Sequence, residues 1–579
     1  MATGRKWAVI VALAVQLGAG AALAESLSGA YLAGRQARYL GDFAAASDYY
    51  GRALARDPDN AKLMEAAVLS DLSLGRIEHA LPVARAMEKA GQKSQLPQMV
   101  LLADEVFNAR YDAVLTRIKD GRGVGPMLDG LIAAWAELGK GNMSDAIAAF
   151  DKMAKEKGQR GFALYHKALA LAMVGDLEGA DAILGARGPG AAAQTRRGVI
   201  ARIEVLSQLE RDAEAVKVLD AAFGDTLDPE LTQMRAALVA GKTLDFDIVA
   251  SARDGIAEVF YTIAGALRGE ARDADTILFA RLADYLRPDH VDAQLLTAEI
   301  LEDMKQYDLA IETFRKVPRN DPAFHAAELG RANALRKAGK ADAAVEVLQQ
   351  LEQTHGDLPI VPTTLGDLMR SLDRYGDAIN AYDKALDLIP KEAKRQWFIH
   401  YARGISYERT GNWTAAEADF RRALKLDPGR PEVLNYLGYS LVDKNRKLGE
   451  ALGMIEQAAA EQPDSGYIID SLGWALYRMG RYKQAVAHME RAAELMSVDP
   501  LVNDHLGDVY WAVGRHREAK IQWQRALSFV EYGDNSEDVD PERIRRKIAQ
   551  GLDAVRAEDG EPPLTMVGDV GSKAPTEDQ

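Results

Sequence analysis

The chain has 579 residues, of which 48% are hydrophobic and 27% charged, a balance typical of soluble folded proteins rather than disordered ones. Its formal charge of −15 at pH 7 opposes binding to nucleic acid or anionic lipid, and we expect neither as a partner. The absence of cysteine excludes disulfides, thiolate metal sites and a lipid-modified N-terminal cysteine, so we expect no lipid anchor.

The first 24 residues have the order of a secretory signal. Arg5 and Lys6 precede the apolar run 7–17, and small residues follow up to Ala24. This pattern predicts export to the periplasm by a signal that is cleaved after Ala24. The alternative is an inner-membrane anchor formed by the uncleaved segment. Cleavage lowers the 71 basic residues to 69 against 86 acidic ones, so the mature formal charge is −17.

A period of about 34 residues organises the rest of the chain and is clearest in its C-terminal half. Four series of residues recur together at spacings of 34 to 38. The first two series are small residues, Gly366, Gly404, Gly438, Gly473, Gly507 and Ala378, Ala416, Ala451, Ala485, Ala519. The third series is bulky and the fourth is alanine: Tyr382, Phe420, Ile455, Met489, Trp523 and Ala385, Ala423, Ala458, Ala492, Ala526.

Each unit has the pattern of two amphipathic helices. In the unit around Gly473, Leu472 and Leu476 form an apolar face, and the glycine allows a partner helix to approach closely. Gly480 is expected to end the first helix, and the second spans the apolar positions in 485–492. The units resemble tetratricopeptide (TPR) repeats. This resemblance implies an all-α fold, a right-handed superhelical solenoid of about 10–13 TPR helix pairs with a C-terminal capping helix.

The same pattern predicts an organisation along the chain. After the signal peptide at 1–24, we expect a partly degenerate N-terminal TPR-like arm at 25–242 and an interruption or hinge at 243–255. A C-terminal TPR array at 256–533, a capping helix at 534–557 and a disordered tail at 558–579 follow. Gly188-Pro189-Gly190 predicts a loop within the N-terminal arm, and Asp540-Pro541 predicts the start of the capping helix.

No constellation of residues predicts catalysis. The sequence has no phosphate-binding glycine loop, no H-E-x-x-H and no nucleophile elbow, so we expect neither an enzyme nor a cofactor. The single local cluster is Asp504, His505 and Asp508, on one helical turn. Such a cluster could bind a metal, but an exposed polar or partner-facing patch explains it better, and we expect no metal site.

The last repeats carry a polar and aromatic stripe. In TPR proteins the first helix of each pair lines the concave face, where peptides or partner helices bind. Mapped onto this chain, the partner-binding groove comprises Tyr401, Asn435, Tyr439, Asp470, Trp474, Tyr477, Arg478, Asp504, Asp508 and Trp511. For Trp474 and Trp511, packing between repeats is an equal alternative. The TPRs that bind chaperones use lysine and arginine at such positions, whereas acids and aromatics here favour a basic or neutral protein or peptide.

A closer resemblance covers 397–533. The segments Asp470-Ser471-Leu472-Gly473-Trp474 and Asn503-Asp504-His505-Leu506-Gly507-Asp508 resemble a group of long bacterial envelope TPR proteins. One characterised member is a lipoprotein that binds and activates a periplasmic C-terminal processing protease. The resemblance implies a periplasmic scaffold or adaptor that presents substrates to an envelope protease. The alternative is an assembly factor for an outer-membrane, pilus or polysaccharide-export machine.

Overall fold

The computed structural model describes residues 26–188, 191–192, 195–224, 227–530 and 539–565. These residues form 31 α-helices and no strand, which confirms the predicted all-α class. None of the helices in these ranges is both long and apolar enough to cross a membrane. The predicted signal peptide at 1–24, residues 189–190 of the predicted loop and the predicted disordered tail from 566 onward lie outside the described residues.

Packing divides the chain into two compact units, 1–351 and 352–579. The helices of the first unit are α1 (Leu27–Tyr39), α2 (Phe43–Leu54), α3 (Ala61–Ser73), α4 (Ile77–Lys89), α5 (Gln95–Phe107), α6 (Tyr111–Lys119), α7 (Pro126–Gly139), α8 (Met143–Met153), α9 (Arg160–Met173), α10 (Leu177–Leu184), α11 (Arg196–Gln208), α12 (Asp212–Phe223), α13 (Pro229–Val239), α14 (Ala252–Leu267), α15 (Asp273–Leu286), α16 (Val291–Asp303), α17 (Tyr307–Phe314), α18 (Phe324–Lys337) and α19 (Ala341–His355), the last of which crosses the boundary.

The second unit continues with α20 (Ile360–Ser371), α21 (Tyr375–Asp387), α22 (Gln396–Arg409), α23 (Trp413–Leu426), α24 (Pro431–Asp443), α25 (Leu448–Glu461), α26 (Gly466–Arg478), α27 (Tyr482–Leu495), α28 (Pro500–Ala512), α29 (His516–Val530), α30 (Pro541–Gln550) and α31 (Leu552–Glu558). In both units most helices pack in consecutive pairs, as the repeat pattern predicts.

The predicted division at 243–255 is not where the packing separates. The irregular stretch lies between α13 and α14, and α14 already begins at Ala252. The helices α14 and α15 pack against α3, α5, α7 and α9 of the N-terminal arm. Arg281 of α15 is buried and donates to the carbonyl oxygen of Ser73 at 3.1 Å. The arm therefore encloses the next helix pair, and a hinge at 243–255 stays a prediction.

The repeated glycines and bulky residues meet face to face in the second unit. A Cβ placed on Gly366 would lie 2.6 Å from the ring of Tyr382, and one on Gly404 would lie 2.7 Å from the ring of Phe420. Trp523 stands in the same way against Gly507, with 2.4 Å to its ring. The bulky residues of all five repeats are 0% exposed. The absence of a side chain on the first helix therefore makes room for the core residue of the second.

The C-terminal cap departs from its prediction. Asp540 caps α30 by accepting hydrogen bonds from the backbone of Glu542 and Arg543, as expected. The single helix predicted up to 557 is instead two helices, because Gly551 adopts φ of +90° between them. A Cβ on Gly551 would also lie 2.4 Å from the indole of Trp511, so the break brings the backbone against that ring.

Candidate functional site

A cleft of about 480 Å³ crosses the first helices of four consecutive pairs in the second unit. We call it the C-terminal cleft. Its walls come from α22, α24, α26, α28 and the turn before α28. The residues that line it are Glu408, Arg409, Tyr436, Tyr439, Ser440, Asp443, Tyr467, Asp470, Ser471, Met496, Asp499, Leu501 and Val502.

Helical phase explains why these side chains share one surface. On α24, positions 436, 439, 440 and 443 are separated by three, four and seven residues, and such positions lie on one face of a helix. On α26, positions 467, 470 and 471 repeat the same spacing. The two faces are adjacent because the repeats stack side by side.

Carboxylates outnumber cations in the lining of the cleft, where Glu408, Asp443, Asp470 and Asp499 face one guanidinium, Arg409. Asp443 is the most accessible of the four, with 61% of its side chain exposed. Its distance to the Arg478 guanidinium is 3.8 Å, a long contact that water screens strongly. The cleft is therefore acidic, with aromatic walls.

The tyrosines of the cleft differ in exposure. Tyr467 is 55% exposed and offers a ring that a partner can cover. Tyr439 is half-buried, and burial together with the nearby carboxylate of Asp470 raises the pKa of its phenol. Both phenols provide hydrogen-bond donors and acceptors as well as apolar area.

Asp470 is held in place by a buried histidine. Its carboxylate lies 3.0 Å from Nδ1 of His505, and both side chains are buried. Burial opposes protonation of His505, but Asp470, with Asp504 and Asp508, outweighs it and raises the histidine pKa. The imidazole also stacks on Trp474 at 3.9 Å. Trp474 therefore packs on His505 and holds the imidazole against the carboxylate of Asp470.

Asp504 and Asp508 lie beneath the cap and do not line the cleft. The ammonium of Lys547, on α30, is 2.9 Å from Asp504 and 2.7 Å from Asp508. The Lys547 side chain is 0% exposed, and Asp508 also accepts a hydrogen bond from the indole of Trp523 at 2.9 Å. These carboxylates are satisfied within the chain, and they would face an open groove, as predicted, only if the cap were removed.

Trp511 is covered by the same cap. Its indole nitrogen donates to Asp553 at 2.9 Å, and its ring stacks on His516 at 4.1 Å. Of the two readings that the sequence left open for Trp511, groove or packing, the contacts favour packing.

The other predicted groove residues divide between core and surface. Asn435 is 0% exposed and Tyr477 is 3% exposed, so neither can touch a partner in this conformation. Tyr401 is partly buried and packs on Phe420, with 6.1 Å between the rings. Arg478 is exposed at the rim beside Asp443. Of the ten predicted residues, Tyr439 and Asp470 line the C-terminal cleft, and their role in binding stays a prediction.

The Asp504–His505–Asp508 cluster does not converge on one point. The two carboxylates turn to Lys547, whereas the histidine turns to Asp470. Among the residues that the structure describes, no three histidine or carboxylate side chains are grouped so as to hold a metal ion.

The sequence interpretation missed Tyr436, Asp443, Tyr467 and Asp499. Three of them could have been found from helical phase, because 436 and 467 lie three residues before the predicted Tyr439 and Asp470, and 443 lies four after Tyr439. Asp499 precedes α28 as its N-cap and accepts a hydrogen bond from the backbone of Val502 at 3.0 Å. It lines the cleft from the turn before α28, a position that helical phase does not predict.

Comparison with known proteins agrees with this architecture. Two sequence profiles, both described as tetratricopeptide repeat, match the chain, one over 384–531 and the other over 31–94, 268–323 and 297–359. A TPR repeat-containing protein of Pseudomonas aeruginosa is 28% identical over 197 residues, which are 34% of this chain and 32% of that protein. Human tetratricopeptide repeat protein 13 is 26% identical over 192 residues, 32% of this chain and 22% of that protein.

The matches therefore span about a third or less of these relatives. Among solved structures, a tetratricopeptide repeat protein from Parabacteroides merdae is 18% identical, with a TM-score of 0.36 that covers 44% of this chain and 96% of the other. TPR proteins are in general non-catalytic scaffolds that bind peptides or proteins. Because the repeat profiles match both halves of the chain and its helices pack in consecutive pairs, the chain belongs to the tetratricopeptide repeat proteins.

Proposed function

We propose that this chain is a periplasmic scaffold whose C-terminal cleft binds a basic or neutral segment of a partner protein. The observation that carries the proposal is the cleft itself, an acidic and tyrosine-lined surface shared by four consecutive repeats. Tyrosine gives a large contact area at low entropic cost, and the exposed carboxylate of Asp443, held only by a long contact with Arg478, selects lysine or arginine in the partner.

The partner that the sequence resemblance suggests is an envelope protease, to which the scaffold would present substrates. Secretion or assembly subunits are the competing class of partner. Export rests on the order of residues 1–24, and the N-terminal sequence of the mature protein tests it: Glu25 as the first residue supports a cleaved signal, whereas Met1 contradicts it.

The binding proposal is tested with the mature chain as bait in envelope extracts. A variant with Tyr439→Ala and Asp443→Lys removes one ring and reverses the most exposed carboxylate of the cleft. Asp387→Lys, at an exposed position near the end of α21, is a matched control for charge. A partner that binds in the cleft should be retained about tenfold less by the double variant and equally by the control.

The identity of the retained proteins then separates the two partner classes. A protease together with cell-wall hydrolases supports the adaptor role, and secretion or assembly subunits support the assembly factor. If the cleft variant retains every partner as well as the unchanged chain does, the C-terminal cleft is not the docking site.

A further inference from the structure

A second cleft lies at the N-terminal end of the first unit. Two hollows of about 750 Å³ and about 640 Å³ adjoin there and share Lys62, Glu65, Leu69 and Leu96. Their walls come from α1, α3, the turn into α5, and one side of α15. We call the combined space the N-terminal cleft. The helices α14 and α15 pack against the neighbouring first helices of the arm, and this cleft lies open beside them.

The charge of this cleft is opposite to that of the C-terminal one. Arg35, Arg38, Lys62 and Lys93 line it, and all four side chains are exposed. Within the described ranges, none of the four forms an ion pair with a carboxylate. By contrast, many arginines of the chain do, for example Arg117, whose guanidinium lies 2.7 Å from Glu105.

The two carboxylates of the lining already have partners. Glu65 accepts a hydrogen bond from the hydroxyl of Ser94 at 2.8 Å. Asp275 accepts one from Arg272 at 2.9 Å. The lining thus carries four cations against two carboxylates, one of which, Asp275, is paired with Arg272. The excess of positive charge in a concave site attracts anions.

The floor and ends of the cleft are apolar and aromatic. Leu69 and Leu96 are partly buried between the two hollows, and Tyr39 is 85% exposed at the far end. A long open cleft with an apolar floor and a basic rim suits an extended polypeptide that alternates carboxylates with apolar side chains. A large polyanion fits less well, because the chain as a whole carries −15 and repels it outside the cleft.

We propose that the N-terminal cleft binds an extended acidic segment of a partner protein, through Arg35, Arg38, Lys62 and Lys93. The chain then has two docking sites of opposite charge, one in each compact unit. This gives a scaffold the means to hold two different segments at once without competition between them.

The test uses the mature full-length chain and a fluorescein-labelled peptide rich in glutamate and leucine. The peptide is amidated at its C-terminus, so that binding reports side-chain carboxylates, and a second peptide carries glutamine in place of each glutamate. Fluorescence anisotropy should show binding of the acidic peptide that weakens as salt is added, and little binding of the glutamine peptide.

Two charge-reversal variants locate the site. Arg35→Glu with Arg38→Glu, and Lys62→Glu with Lys93→Glu, should each weaken the acidic peptide about tenfold or more. Lys155→Glu with Lys157→Glu makes the same change of charge at exposed positions after α8, and it should weaken the peptide less than about twofold. Circular dichroism confirms that each variant keeps its helices.

Three results would overturn the proposal: equal weakening by the control pair, equal binding of the glutamine peptide, or stronger binding to vesicles of anionic lipid than to the acidic peptide. The cleft variant with Tyr439→Ala and Asp443→Lys should bind the acidic peptide normally. The two proposals can therefore fail independently of each other.

Discussion

The buried ion pair between the cap and the last repeat gives the sharpest test of the structure. Lys547→Met removes an ammonium that is 0% exposed and leaves Asp508, itself 2% exposed, without its cation. Breaking a buried pair by removing one partner costs about 3–5 kcal/mol. We expect about 3 kcal/mol, the lower end, because Asp504 keeps 14% of its side chain in water and can be rehydrated.

The loss should be local, because repeats in a solenoid contact only their neighbours. Hydrogen exchange should therefore accelerate in α28 to α31 and not in α20 to α23. Urea unfolding followed by tryptophan fluorescence, to which Trp511 and Trp523 contribute, should show an earlier transition. Lys483→Met, at an exposed position on α27, is the matched control and should change the unfolding free energy by less than about 0.5 kcal/mol.

Two further measurements separate the charge from the packing. Adding Asp508→Asn to Lys547→Met should restore part of the stability, because it removes the stranded carboxylate. Burial already raises the pKa of Asp508, with Lys547 opposing the rise, so the deficit of Lys547→Met should shrink as the pH falls and the carboxyl becomes neutral. If Lys547→Met and Lys483→Met unfold alike at neutral pH, the reasoning is refuted.

Other predictions follow from single contacts. The His505 pKa is raised above 6.5, so the stabilisation by its pairing with Asp470 is complete below about pH 6.5 and is lost as the pH rises through the folded-state pKa. Urea melts at about pH 6 and about pH 8 should show this loss of stability, and His505→Gln should reduce the difference between the two pH values. Gly507→Ala should cost about 2 kcal/mol because its Cβ would lie 2.4 Å from the indole of Trp523. Gly453→Ala, at a helical position with nothing within 4 Å, should be neutral or stabilise by up to about 1 kcal/mol. Equal melting temperatures of the two variants would contradict the packing. Lys305 has φ of +60° in a turn, so Lys305→Gly should stabilise by up to about 1 kcal/mol, and a lower melting temperature would show that the turn is not strained.

The repeats could be predicted because their signal is local and recurs. Gly366 and Tyr382 lie 16 positions apart in the sequence, and the same pair of residue types returns in each following unit, so one contact specifies the geometry of all. Gly480 was expected to end a helix and does so, with φ of +75°. The helix class, the pairing and the core positions follow from such short-range patterns.

The binding surface was harder to predict. Tyr439 and Asp470 line the cleft because their helical phase puts them on the first-helix face, and their role in binding stays a prediction. Asp508 and Trp511 have the same phase, yet they are covered by Lys547 and Asp553 from a segment about 40 residues later. Phase tells which side of a helix a residue occupies, but not which later segment covers that side.

The sequence by itself therefore determined the class of fold, the repeat length and the core of each repeat, since these depend on residues within one or two helices of each other. Only the tertiary structure decided which first-helix faces stay open. It showed α14 and α15 across the N-terminal arm, the cap over the last repeat, and two clefts of opposite charge in what remains. The physical reason is that exposure depends on contacts between segments far apart in the chain, and a periodic pattern carries no record of those contacts.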